Sequence, residues 1–145
     1  MAQDHWQDED HESVRRATRL LSAGHGEGPT LDERVRRWEW FVSEVEEGFD
    51  TTWVWEYDQD IRCRDWLHDA WPILTERIRA HYQGELDALD DRFLAATAPI
   101  RPHGAGAVAN PERWWRHRYP QRVSGTRRED HLPPTWSPTP AYVEL

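Results

Sequence analysis

Apolar side chains recur every three or four residues through most of the stretch from Leu31 to Ala96, and that spacing predicts helices. Leu31, Val35, Trp38, Val42, Val45 and Phe49 step by 4, 3, 4, 3 and 4, which places six apolar groups on one face of a helix ending beside Gly48. Thr30-Leu31-Asp32-Glu33 supplies a start signal. The Thr30 hydroxyl accepts from the Glu33 N–H while the Glu33 side chain reaches back to the N-cap. Trp40 and Phe41 fall at or beyond the edge of the stripe, so this helix is expected to bury more than one face.

A second run, Leu67, Trp71, Leu74, Ile78, Tyr82, Leu86, Leu89, Phe93 and Ala96, is also helical in period. Between the two runs, residues 51–57 are rich in β-branched and aromatic side chains, which suit a strand as well as a helix; the periodicity that follows favours helix. A straight helix from Thr52 to Thr97 would be about 69 Å long at 1.5 Å per residue, too long for a domain of this size. Pro72 and Gly84 are the candidate breaks. Pro72 removes an N–H and clashes with the preceding turn unless it opens a new helix, and the expectation is two helices, 52–70 and 72–97, packed antiparallel. A shorter helix over 13–23 puts Val14, Ala17, Leu20 and Leu21 on one side, and the glycines of 24–29 read as a loop. From Ala98-Pro99 onward lie eight of the ten prolines and Gly104-Ala105-Gly106, so residues 98–145 read as extended or irregular. The predicted class is all-α. It comprises a flexible acidic arm over 1–12, a three- to four-helix bundle over 13–97 and an extended proline-rich tail over 98–145.

Composition complicates this picture. Leu, Ile, Val and Phe number 25 of 145 residues, and the net charge is -9, a combination that warns of disorder. Ten tryptophans offset the warning, since each buries on the order of 200 Å² provided its indole N–H finds a partner. All 18 basic residues are arginine. Residues 1–100 carry 11 arginines against 23 carboxylates, whereas residues 101–145 carry 7 against 4, so an acidic body precedes a basic tail. An acidic body repels nucleic acid and anionic membranes and favours basic protein surfaces. No run of 18 apolar residues suggests a membrane span, and no basic stretch followed by an apolar one opens the chain; a cytoplasmic location is the expectation.

Catalytic signals are weak. Asp8/His11, Asp65/His68 and His81/Glu85 have spacings that put two ligands on one helix face, but the paired Glu-x-x-His units of a di-metal bundle are missing. Asp58-Gln59-Asp60 begins like a calcium loop without its glycine or terminal glutamate. Asp87, Asp90 and Asp91 read as a solvated helix face more simply than as a magnesium cluster. Cys63 excludes an intrachain disulfide, and Arg62 and Arg64 beside it raise the alternative of a reactive thiolate. No phosphate loop or nucleophile elbow is present. No catalytic residue, metal ligand or cofactor is assigned.

The most unusual run is Arg113-Trp114-Trp115-Arg116-His117-Arg118-Tyr119-Pro120. It admits three readings: packing back on the acidic helices, contact with a protein partner, or stacking on nucleobases. Trp136, within a proline-rich stretch, is a further anchor. The functional expectation is a non-enzymatic interaction protein of accessory, inhibitor or immunity type. Its partner-binding residues are Arg113, Trp114, Trp115, Arg116, Arg118, Tyr119 and Trp136 of the tail, with Glu44, Glu46 and Glu47 of the body. A nucleic-acid binder acting through 113–120 is the first alternative and a small helical metalloenzyme the second.

Overall fold

The computed structural model describes residues 6–21, 29–100, 112–128 and 131–144. The glycine loop of 24–28, the Gly104-Ala105-Gly106 stretch and the first five residues lie outside them. Helix α1 spans Asp8–Leu21, α2 Leu31–Gly48, α3 Tyr57–Asp60, α4 Cys63–Ala70 and α5 Glu76–Ala96. The capping box of α2 is present, with Thr30 Oγ1 accepting from Glu33 N at 3.1 Å and Glu33 Oε1 from Thr30 N at 3.2 Å. At its other end Gly48 has φ 123°, a left-handed conformation that favours glycine and turns the chain out of the helix.

Helix α1 starts inside the stretch predicted to be a flexible arm. Asp8, Glu9 and Asp10 form its first turn, where carboxylates complement the helix dipole. Asp10 is buried. The Thr75 hydroxyl donates to it and the Gln7 N–H does so at 2.8 Å, and together these hold its carboxyl below the usual range. Thr75 is also the N-cap of α5, accepting from Ile78 N, so one buried aspartate ties the start of α1 to the start of α5.

The predicted helix over 52–70 is broken into shorter pieces. Residues Thr51–Glu56 form a 3-10 helix, kinked at Trp53, and α3 and α4 follow with a turn between them. The reason lies in the period. A 3-10 helix has three residues per turn, and Thr51, Val54 and Tyr57 are the buried positions while Trp53 and Trp55 point outward. Asp50 caps this turn, accepting from Thr52 N at 2.9 Å. The chain does break at Pro72, which sits in a second 3-10 turn over Trp71–Ile73, and α5 begins after Thr75. Gly84 lies within α5 and does not interrupt it.

The all-α class does not hold. The protein is largely helical with two small sheets, and the strands come mainly from the tail. β1 (Phe49–Asp50) runs parallel to β4 (Arg122–Ser124), which runs parallel to β5 (Ala141–Tyr142). β2 (Thr97–Pro99) is antiparallel to β3 (Arg118–Pro120), pairing Ala98 with Tyr119. Each strand is two or three residues long, so no alternation develops in the sequence, and the partners lie far apart along the chain. The proline-rich stretch is therefore not a free tail where it is described. Trp115, Tyr119, Val123, Leu132 and Trp136 join the core formed by Val35, Trp38, Phe41, Val42, Leu67 and Phe93.

Two buried tryptophans organise the polar groups of this core. Trp38 Nε1 donates to Asp90 Oδ1 at 3.1 Å, and Asp90 also takes a bidentate pair from Arg64 at 3.0 and 2.9 Å. Trp115 Nε1 donates to Asp65 Oδ1 at 2.7 Å, and Asp65 also accepts from the guanidinium of Arg116. The Arg64 guanidinium lies over the Trp115 ring, 4.6 Å from its centroid, joining the two clusters. Burial pushes the Asp65 carboxyl up, but the hydrogen bonds from Arg116 and Trp115 outweigh it and leave the group below its usual range.

Two substitutions test this account by chemical denaturation. Asp90→Ala leaves the Arg64 charge and the Trp38 N–H without their acceptor, and is expected to cost about 3–5 kcal/mol, the range for breaking one side of a buried pair. Gly84→Ala places a methyl group where no atom lies within 4 Å, in the middle of an exposed helical turn. It is expected to stabilise by about 0.8–1 kcal/mol.

Candidate functional site

Most of the tail residues expected to contact a partner are used within the chain. Arg113 pairs with Asp69 at 2.7 Å, Arg116 with Asp65, and Arg118 donates to Thr97 Oγ1 and to the Thr97 carbonyl, each at 2.7 Å. Trp114 is half-buried against Phe93, with ring centroids 6.1 Å apart. Trp115, Tyr119 and Trp136 are at most 5% exposed, so they offer no ring face to a nucleobase or a partner. The Tyr119 hydroxyl donates to the Pro138 carbonyl at 2.8 Å.

The three glutamates of α2 separate. Glu46 is held by Arg92, whose guanidinium approaches to 2.6 Å and keeps the carboxyl below its usual range. Glu47 is exposed, and Glu44 lines a cavity. That cavity, about 260 Å³, is the arrangement that the sequence did not disclose. Its walls are Trp40 from α2, Trp53 from the 3-10 turn and four carboxylates, Glu44, Asp50, Glu56 and Asp60, with the buried Phe49 ring beneath. Among the described residues, no basic side chain lines it.

Local structure explains why these side chains meet. Trp40 projects from α2 on the side opposite the core stripe, while its neighbour Phe41 is fully buried. Gly48 then turns the chain into β1, and the three-residue period of the next turn sends Thr51, Val54 and Tyr57 inward. Trp53 and Trp55 are left 57% and 62% exposed, and Trp40 44%. Among the described residues, neither Trp53 nor Trp55 has a ring or hydrogen-bond partner, and neither Glu44 nor Glu56 meets a cation. Indole surface left uncovered in this way is unusual on a protein that buries its other tryptophans wholly or in part.

Asp60 shows the electrostatic character of the site. Burial raises its carboxyl above the usual range; Arg37 opposes the shift and Glu56 adds to it. Arg37 lies at the rim, its guanidinium 4.5 Å from the Trp40 ring centroid and 3.2 Å from Asp60 Oδ1. The other exposed apolar side chains, Leu20 and Leu94, lie on α1 and α5 and form no such group.

Two of the three suspected metal pairs are otherwise engaged, while Asp8 and His11 are exposed on α1. Asp65 is taken by Trp115 and Arg116, and His68 stands edge-on to Trp115 at 5.4 Å. His81 contacts Trp6 and Tyr82, and Glu85 pairs with Arg36. Asp90 faces inward to Arg64, away from the solvated role expected of it beside Asp87 and Asp91. Among the described residues no three His, Cys, Asp or Glu side chains converge on a metal position, and no helix is long and apolar enough to cross a membrane. No protein family, curated protein or solved structure matches the chain.

Cys63 is not an activated thiol. Burial pushes it up to about 12, and the charges of Arg37 and Arg64 do not compensate. Since only the thiolate reacts, iodoacetamide at pH 8 is expected to label the native protein at least tenfold more slowly than the denatured chain, followed by intact-mass measurement. Equal rates would restore Cys63 as a candidate nucleophile.

Proposed function

We propose that this chain is a non-enzymatic protein-interaction protein that holds a basic partner on the acidic, tryptophan-bearing face formed by α2 and the turn that follows it. The observation that supports the reading most is the grouping of the exposed Trp40 and Trp53 beside four carboxylates, with Trp55, also exposed, on the same 3-10 turn as Trp53. Tryptophan is among the residues that dominate binding energy at interfaces, because one rigid side chain buries a large area. The surrounding negative charge steers a basic surface toward it and disfavours acidic competitors.

Size argues in the same direction. At about 260 Å³ the cavity falls below the range of sites that enclose a whole small-molecule ligand, roughly 300–1,000 Å³, and suits the end of one side chain. An Arg/Trp-rich tail as a second contact element is set aside, because those side chains hold the tail to the helices.

Affinity capture from native lysate, repeated with a Trp53→Ala/Trp55→Ala double variant, tests the reading. Both positions are exposed, so the helical signal in far-UV circular dichroism should be retained. One dominant basic protein is expected with the parent chain, and its capture should fall at least tenfold with the variant, as for the loss of an interface hot spot. Charge reversal at Glu44 and Glu56 should weaken it further, and reversal at the Arg92-paired Glu46 should matter less. An unchanged set of captured proteins at unchanged strength would rule the reading out.

A further inference from the structure

The cavity beside Trp40 and Trp53 has chemistry that selects one kind of group, and the chain itself supplies the precedent. At its rim, Arg37 places its guanidinium over the face of Trp40 while donating to Asp60, 4.5 Å from the ring centroid and 3.2 Å from the carboxylate oxygen. That is the arrangement in which an arginine gains both from the negative face of the indole ring and from a carboxylate.

Within the cavity the same two kinds of group recur without a cation. Trp53 has no ring partner, and Glu44 and Glu56 no counter-charge, among the described residues. Four carboxylates line the cavity and one arginine stands at its edge, so the local charge is negative even with Arg37 in place. Asp50 is partly committed to capping the Thr51 turn and Asp60 to Arg37. Glu44 and Glu56 are the carboxylates left for a ligand. Phe49 makes the base apolar, which suits the flat, weakly hydrated face of a guanidinium better than the strongly hydrated ammonium of lysine.

We infer that this cavity seats the guanidinium of an arginine side chain from the partner protein, stacked against tryptophan and paired with Glu56, with Glu44 adding to the negative charge. The inference rests on the reading of the chain as a binder of basic proteins and specifies what the partner inserts. Glu56 and Trp53 are the specificity-determining residues. Trp40 is shared with Arg37, and Asp60, anchored by Arg37, serves to hold that cation at the rim.

The test is a titration of the full chain followed through the indole N–H signals in two-dimensional NMR, with those of Trp40 and Trp53 assigned from Trp40→Phe and Trp53→Phe variants. The probes are the capped tripeptide Gly-Arg-Gly and its citrulline analogue, which keeps the shape of the side chain and lacks its charge. The arginine peptide is expected to shift the Trp53 and Trp40 signals saturably, with the citrulline peptide at least fivefold weaker. Glu56→Gln should remove most of that difference while leaving the citrulline response as it was. Equal responses to the two peptides, or saturable shifts confined to other tryptophans, would overturn the inference. A lysine peptide that matches the arginine one would overturn it too, by showing a seat for charge alone. The two proposals fail separately. A partner lost on Trp53→Ala/Trp55→Ala substitution with no preference for arginine over citrulline leaves the binding role and removes the seat; a preference without a partner does the reverse.

Discussion

The structure depends on finding acceptors for the indole N–H groups of tryptophans that the core cannot do without. With so few aliphatic residues, Trp38 and Trp115 supply much of the buried apolar area, each worth at most about 5 kcal/mol at roughly 25 cal/mol per Å². An indole N–H buried without a partner forfeits about 1–3 kcal/mol of that. Here both acceptors are aspartates, and a buried aspartate in turn requires a cation. Trp38, Asp90 and Arg64 form one such chain of dependence, and Trp115, Asp65 and Arg116 the other. Arg64 and Asp65 are adjacent in α4, so this short helix joins α5 on one side to the tail on the other. It is the hub that converts a basic, proline-rich tail into part of the fold.

That constraint also accounts for the unequal treatment of the tryptophans. Trp38 and Trp115 have a carboxylate within reach and are buried, and Trp71 donates to Gln83. Trp53 and Trp55 stand on a turn whose three-residue period gives its inward positions to Thr51, Val54 and Tyr57. They remain outside because the local helix type leaves them no place in the core. Their exposure is therefore set by the backbone.

The sequence disclosed the parts of the fold that repeat. The capping box at Thr30, the α2 stripe ending at Gly48 and the break at Pro72 all follow from spacing and from the chemistry of single residues. Strands of two and three residues leave no such trace, and the pairing of Phe49 with Val123 is fixed by tertiary packing. The place of the tail escapes the sequence for the same reason. Its composition indicates extended chain, which is correct locally, while its destination depends on Asp65 and Asp69, on a helix far upstream. For the candidate site, Glu44 and the off-stripe position of Trp40 are visible from sequence. Trp53 and Trp55 are not, because a 3.6-residue period does not sort the inward from the outward positions of a stretch coiled at three. The signal that is present is Thr51, Val54 and Tyr57 at intervals of three, with a capping aspartate before them.

The acidity of the body acquires a structural meaning from this division of labour. Some carboxylates are spent on indoles and arginines of the same chain, and there the charge is matched: Asp90 with Arg64, Asp65 with Arg116, Glu46 with Arg92. Around Trp40 and Trp53, Asp60 is matched by Arg37, whereas Glu44 and Glu56 meet no cation among the described residues; burial raises the Asp60 carboxyl, Arg37 opposes the shift and Glu56 adds to it. Like charges held close together repel one another, and a cation placed among them would relieve that repulsion. The same face is thus short of apolar cover and, even with Arg37 at its rim, of positive charge, and the proposed arginine side chain would supply both at once.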